Sequence, residues 1–481
     1  MADDLRPQIG AYSGSNFPAS VHPQMHTPNL NALASKSLLL KRAYVQQAIC
    51  SPSRASILTG RRPDTTHVYD LHTNFRHSGG DFTTLPEHFK NHGYRSMGMG
   101  KIYHGTADSG GRDPQSWSET YFHGHNYVTG NKSWQAIPDA DLQAKPLIDK
   151  QVADEAVKAL RQFAPKAKTG EENFFLAVGF RRPHLPFVFP ASIMDKYYPR
   201  HSVHLPSNPY APVNMPNIAW STYGELRTQY ADISALHASG AINTTLPDQV
   251  TLDLRRAYYS AVTFVDSLVG DVITEVNRLG LSSNTIISFV GDHGYQLGEH
   301  GEWCKHTNFE IATHAPMMIR VPGLTDHGIT TSKLTEFVDL YPTIVEAAGL
   351  GKVPLCPEDS SHTKVCHEGT SLLPLIKNQN VTLKRLAFSQ YPRGKHIMGY
   401  SVRNYRYRYT EWVDFTYAPV YKPNWSNITG VELYDHEVDP EENHNNAYNT
   451  RYQQARTHLS DLLHKGWRQH HTSIGSLLVG K

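Results

Sequence analysis

The hydrophobic positions of this chain change period along its length. Residues 174–180, 285–290 and 317–321 are short, nearly unbroken apolar runs, the pattern of strands covered on both faces by helices. Helical patterns alternate with them. Thr27-Pro28 supplies an N-cap and a first-turn proline for a helix reaching about Ser37. Between residues 252 and 279, Leu254, Tyr258, Val262, Val265, Leu268, Val269, Val272 and Val276 keep helical spacing, and Gly280 supplies the stop. A further helix from about Glu336 to Ala348 ends at Gly349. This alternation predicts an α/β fold with a large, mainly parallel or mixed sheet flanked by helices. After about residue 375 the pattern changes. Residues 400–409 alternate large and polar side chains with period two, as a strand with one covered face does, and residues 431–434 suit a partner strand. The chain is therefore divided into a main domain over residues 1–377 and a smaller C-terminal α+β subdomain with an antiparallel sheet over 378–481, meeting at a polar junction. Residues 105–146 and 200–250 are rich in Gly, Pro, Asn and Ser, lack clear periodicity and read as long loops around a site mouth.

Composition narrows the function classes. With 46 Lys+Arg against 44 Asp+Glu in 481 residues, no bulk polyanion such as nucleic acid is implied as partner. No apolar run approaches the ~18 residues of a membrane span. Four cysteines are too few for a disulfide scaffold, although Cys356 and Cys366 are close enough in sequence for one bridge. The 28 histidines direct attention to metal or proton-transfer chemistry. Residues 1–7 carry no basic or apolar leader, which read literally means cytosol. Asn-x-Ser/Thr sequons at Asn131, Asn243, Asn380, Asn424 and Asn427 argue instead for a secretory route. A start lying inside a longer reading frame reconciles the two.

Candidate chemistry concentrates in a few places. In Cys50-Ser51-Pro52-Ser53-Arg54, the Ser-Pro pair can open a helix, placing Cys50 where free backbone N–H groups attract an anion and Arg54 one turn further on. The bland reading of a lone cysteine is a buried thiol. Asp3-Asp4 and Asp292-His293 offer three carboxylates and an imidazole, a hard-ligand set suited to Ca²⁺ or Mg²⁺. Asp292 follows the run ending at Val290, the place where ligands collect in a parallel sheet. An isolated Asp pair is usually an exposed turn, and Asp292-His293-Gly294 a capped loop. Lys101 and His104, Arg181 to His184, and Lys305 with His306 each follow a strand-like segment and can converge on one anion, although a lone loop Lys or His is mostly solvated.

Together these residues outweigh the bland readings. Cys50, Pro52, Ser53, Arg54, Leu58, Thr59 and Gly60 match every fixed position of a signature of the sulfatase family, which this chain resembles, and residues 93–104 are similar to its second signature with a departure at Met99. Residues 46–48, 298–303 and 389–393 extend the likeness from Asp3 almost to the C-terminus. The resemblance implies a sulfatase fold with residues 1–377 as catalytic domain, and Cys50 converted to formylglycine by the formylglycine-generating enzyme. It implies one Ca²⁺ held by Asp3, Asp4, Cys50, Asp292 and His293; Arg54, Lys101, His104, His184 and Lys305 as catalytic groups; and a sulfated glycosaminoglycan as substrate. It further implies a Cys356–Cys366 disulfide and a lysosomal or secreted enzyme; Cys304 is given no chemistry. The family also carries a buried strand ahead of the Asp pair, so the resemblance implies a first strand that residues 1–2 do not supply. Two alternatives stay open: a sulfatase of another substrate or a phosphonate or phosphate monoester hydrolase on the same fold, and, if Met1 is the true start, an inactive glycan-binding homologue.

Overall fold

The computed structural model describes residues 1–13 and 24–469. Its central sheet is built from β1 (Leu38–Tyr44), β2 (Arg95–Gly100), β3 (Phe174–Gly179), β4 (Ile287–Val290), β5 (Met317–Arg320) and β6 (Ile329–Glu336). Four of these pair in the order β6-β1-β5-β4, and β2 pairs with β3. β1 runs parallel to β6 and β2 parallel to β3, whereas β5 is antiparallel to both β1 and β4. The sheet is therefore mixed, and the apolar run at 317–321 is its reversed member.

Side chains alternate across this sheet as the two-residue period requires. Leu39 and Met318 join one apolar cluster with α3 (Ile148–Thr169) and α5 (Asp248–Arg278), while Leu38, Leu40, Met317 and Ile319 join another with Ile57 of α2 (Cys50–Thr59) and Ile344 of α6 (Leu340–Ala347). Both faces are thus covered, which is why the strands read as continuous apolar runs. A short helix, α1 (Pro28–Ala34), packs beside α5, where Asp266 accepts from the backbone N–H groups of Asn29 and Leu30.

Two strands are joined only at one end. Ala2 bridges Phe180 after β3 and Gly291 after β4, both in parallel sense. The Met1 amine donates to Val178 O at 2.9 Å, and Ala2 N–H to Val290 O at 2.9 Å. Behind this point, between β3 and β4, lies an apolar cavity of 510 Å³ lined by Met1, Phe174, Leu176, Val178, Ile287 and Phe289 among others.

The C-terminal sheet has the order β7-β8-β9-β10, from β7 (Ala387–Arg393), β8 (Ile397–Arg403), β9 (Tyr407–Thr416) and β10 (Lys422–Asp435), all antiparallel. The single strand expected over 400–409 is instead a hairpin. Asn404 Oδ1 accepts from the N–H groups of Arg406 and Tyr407 at 2.9 and 2.6 Å and turns the chain there. Leu433 faces Tyr409 in register, as the expected partner strand does. α7 (Gln453–Lys465) covers one face of this sheet through Leu459 and Leu463. Cys356 and Cys366 form the disulfide. Among the described residues no helix is long and apolar enough to cross a membrane.

Candidate active site

α2 opens at Cys50 with Pro52 in its first turn and closes at Gly60 in the left-handed region. A Cβ there would lie 3.1 Å from Tyr341 Cβ, so packing as well as φ favours glycine. All ten helix residues are buried. Burying polar residues such as Arg54 and Ser53 costs free energy unless they are satisfied, and here they are. Arg54 donates from Nε to Asp292 Oδ2 at 2.9 Å, from Nη2 to Asp3 Oδ1 at 3.0 Å, and from Nη1 to the carbonyls of Lys101 and Ile102. Ser53 Oγ donates to Asp292 O.

The ligand pairs sit at the ends of the central strands. Asp292 follows β4, and Asp3-Asp4 follows the short Met1-Ala2 bridge between β3 and β4. Asp4 adopts φ 59°, an uncommon backbone for a residue with a Cβ. Its N–H donates to Asp292 Oδ1 at 2.9 Å and its carbonyl accepts from Tyr258 OH at 2.7 Å. Lys101 enters at the end of β2 through Gly100 at φ 70°, where a Cβ would fall 2.0 Å from Gly179 O.

The side chains converge on Cys50. Its thiol lies 3.3 Å from Asp3 Oδ1, 3.5 Å from His293 Nε2, 3.8 Å from Lys101 Nζ and 4.0 Å from Asp4 Oδ1. Lys101 pairs with Asp3, and Lys305 Nζ with both oxygens of Asp4 at 3.0 Å. His184 Nδ1 contacts Leu185 O at 2.6 Å, which leaves Nε2 facing Glu225 at 3.5 Å and Asp4 at 4.0 Å. His104 is set by its backbone N–H on Asp108, and its buried Nδ1 has no hydrogen-bond partner.

Charge in the site is unevenly compensated. Burial works to raise both Asp3 and Asp4. For Asp3 the charges of Lys101 and Arg54 prevail and hold it well below the usual range. Asp4 stays well above it, since burial, Asp3, Glu225 and Asp292 together outweigh Lys305. Burial, with Asp3 next, pushes the Cys50 thiol up. Burial, with Lys101 next, lowers His104 to about 3 and His184 well below its ordinary value; burial also brings His293 to about 4.

These observations test a metal directly. Asp3, Cys50, Asp292 and His293 each bring one ligand atom to within 4.8 Å of the others, and Asp3, Asp4, Cys50 and His184 do the same. The buried carboxylates crowd until Asp4 resists ionising. A divalent cation with oxygen and imidazole ligands relieves that crowding, so the residues fit one. A second cluster, Glu310, His436 and Glu442, is already matched by Arg403 and Arg408 and is structural.

All the expected site residues meet here: Asp3, Asp4, Cys50, Arg54, Lys101, His184, Asp292, His293 and Lys305 in contact, and His104 within their electrostatic field. Glu225, on the loop-borne helix α4 (Gly224–Gln229), was not foreseen. It pairs with Lys305 at 3.1 Å and with His306 Nε2 at 3.1 Å, while His306 Nδ1 meets Tyr391 OH at 2.7 Å. Tyr391 comes from β7, so the C-terminal sheet contributes to the site wall. Cys304 is fully buried, as a bystander would be.

Comparison with known proteins follows the same lines. The sulfatase family profile matches residues 1–350, and that of the N-sulphoglucosamine sulphohydrolase C-terminal region matches residues 298–469. Iduronate 2-sulfatase of Homo sapiens is 35% identical over 508 residues, covering 92% of this chain and 90% of that protein. A solved structure in complex with D-glucosamine-2-N,6-O-disulfate superposes with TM-score 0.70 at 19% identity, over 98% of this chain and 97% of the other. The phosphonate monoester hydrolase of Silicibacter pomeroyi superposes with TM-score 0.68 at 20% identity, over 97% and 94%. Family profile, relative and site residues agree, and the chain belongs to the sulfatase family.

Proposed function

We propose that this sulfatase removes the 2-O-sulfate of iduronate units in heparan and dermatan sulfate, with a formylglycine made from Cys50 by the formylglycine-generating enzyme and with one Ca²⁺. The observation that carries the reading is the convergence of Asp3, His293 and Lys101 on Cys50 at a helix start. The 35% identity to iduronate 2-sulfatase over about nine tenths of both chains supports the choice of sugar. It also supports a lysosomal or secreted location, to which the sequons are suited.

Asp3, Asp4, Asp292, His293 and the group derived from Cys50 would hold the calcium, which supplies a Lewis acid for a sulfate oxygen. The hydrated formylglycine supplies a hydroxyl nucleophile. The remaining work belongs to side chains in place. Lys101, Lys305 and Arg54 offset charge on the equatorial oxygens of the ester, and their ion pairs with Asp3, Asp4 and Asp292 hold them without reorganisation. Asp292 accepts the proton of the attacking hydroxyl. His184 presents Nε2, since Nδ1 is engaged with Leu185 O. Burial holds His184 well below its ordinary value, whereas Asp4 and Glu225 hold Lys305 well above its own against burial. His184 in its protonated form, or Lys305, donates a proton to the leaving alcohol. His104, neutral and with an unengaged Nδ1, takes the proton of the second hydroxyl as sulfate leaves. Water and ester give alcohol, sulfate and a proton.

Mass spectrometry of the Cys50 peptide from a eukaryotic host is expected to show the aldehyde. Sulfate release is expected to be much faster from an iduronate-2-sulfate disaccharide than from glucosamine- or galactosamine-sulfate isomers. Unmodified cysteine with no sulfate release would remove the reading, and equal rates on all sugars would remove only the choice of iduronate.

A further inference from the structure

Glu225 is a fourth carboxylate in a site whose other three are matched once a divalent ion keeps Asp4 ionised. Around Cys50, Asp3, Asp4 and Asp292 face three side-chain cations, Arg54, Lys101 and Lys305, and their formal charges cancel. A divalent ion adds two positive charges and Glu225 removes one. The loaded site then carries a single net positive charge, the complement of a sulfate monoester, which is singly charged. Without Glu225 it would carry two, the complement of a phosphate monoester dianion.

The surroundings of Glu225 are built to keep it charged and in place. Its side chain is 15% exposed, and both oxygens approach Lys305, at 3.3 and 3.1 Å. His306 reaches it at Nε2 while meeting Tyr391 OH at Nδ1, so the neutral Nε2–H tautomer satisfies both contacts and brings no extra charge. His184 Nε2 lies 3.5 Å away, so the carboxylate stands beside both proposed proton donors, His184 and Lys305. A carboxylate here repels a doubly charged ester group about twice as strongly as a singly charged one.

We propose that Glu225 determines specificity by charge at the reacting group, admitting a singly charged ester group and disfavouring a doubly charged one; this rests on the sulfatase reading with a divalent ion bound. The full calcium-loaded chain, converted at Cys50, is compared as wild type, Glu225→Gln, Glu225→Ala and Glu225→Asp. An aryl sulfate and the matching aryl phosphate serve as substrates, about two pH units above the second phosphate pKa of ~6. Removal of the charge in Glu225→Gln or Glu225→Ala is expected to raise the phosphate-to-sulfate ratio of kcat/KM by about tenfold or more. Glu225→Asp keeps the charge and should keep the ratio even where both rates fall. A purely structural role predicts parallel losses on both esters and an unmoved ratio, and that result overturns the proposal. Calorimetric binding of benzenesulfonate and benzenephosphonate to the calcium-loaded Cys50→Ala chain, with and without Glu225→Gln, reads the same preference without turnover. If the wild type releases no sulfate from the aryl sulfate or from the iduronate-2-sulfate disaccharide, the proposed activity fails on its own, and the binding pair still decides the role of Glu225.

Discussion

The Nε of Arg54 lies 2.9 Å from Oδ2 of Asp292 across 238 residues of sequence, with both side chains essentially fully buried. A guanidinium is suited to this place because its planar fork reaches Asp3 as well, at 3.0 Å. Removing one partner of a buried pair leaves an uncompensated charge and costs about 3–5 kcal/mol. Arg54→Ala is therefore expected to lose about that much stability to urea in EDTA. The loss should be smaller in calcium, where the ion takes over part of the compensation. Arg54→Lys should recover only part of it. A change under about 1 kcal/mol in EDTA would show that the pair is not what holds the two carboxylates.

Asp4 makes the opposite prediction. Burial and its carboxylate neighbours already hold it well above the normal range without metal, so Asp4→Asn should leave metal-free stability unchanged or slightly raised. The same change removes a proposed calcium ligand. Wild type is expected to gain about 2.7 kcal/mol at calcium a hundredfold over its Kd, read as a shift in Tm, and Asp4→Asn to lose most of that shift. An Asn variant that keeps the full calcium response would take Asp4 out of the ligand set.

These two residues also show what sequence makes legible. Cys50 with Arg54, Asp3 with Asp4, and Asp292 with His293 are local patterns, and each chemistry follows from neighbours within a turn or a pair. Glu225 has no such signature. Its partners Lys305 and His306 lie 80 and 81 residues away, in a loop region without periodicity, and only the fold brings them together. Strand direction is equally hidden. The run at 317–321 is apolar because both faces are covered, and that holds whether it runs parallel or, as here, antiparallel to its neighbours. The hairpin at 404–406 was within reach, since an Asn in the middle of a period-two run is a turn former.

The cavity between β3 and β4 leads to a third prediction. Met1 and Ala2 pair with both strands in parallel sense, and behind them the facing strand edges line an apolar space of 510 Å³. The Met1 amine is buried there, and burial with the charge of Arg54 lowers it to about 5. Fusing about six apolar, β-branched residues ahead of Met1 replaces that amine by a ladder N–H to Val178 O and lets a strand of roughly 20 Å fill the space. The extended chain should gain several kcal/mol, by the cavity-volume dependence of core packing, seen as a raised Tm. A polar extension of equal length should not. Equal midpoints for the two would mean that the space does not accept a strand.

Glu302 contributes a fall in stability with rising pH. It is fully buried, accepting from Ser221 N–H at 3.1 Å and from Gln296 Nε2 at 3.4 Å, and among the described residues no cation is paired with it. Burial raises its pKa to about 8, against an ordinary value of 4.5, with Glu432 adding to the effect and Arg393 opposing it. Between those two values the folded chain holds a proton that the unfolded chain releases. The unfolded state then binds fewer protons, so stability falls as pH rises, with the loss beginning near 4.5 and complete above about 8. At about 1.4 kcal/mol for each pKa unit, the span corresponds to roughly 4–5 kcal/mol. Glu302→Gln keeps a neutral group of the same shape in the same contacts. It is expected to match the wild type near pH 4.5 and to be more stable by a few kcal/mol at pH 8, with this part of the slope gone. Urea unfolding at the two pH values measures the difference directly, and parallel pH profiles for the two proteins would mean that Glu302 is ionised in the fold at neutral pH.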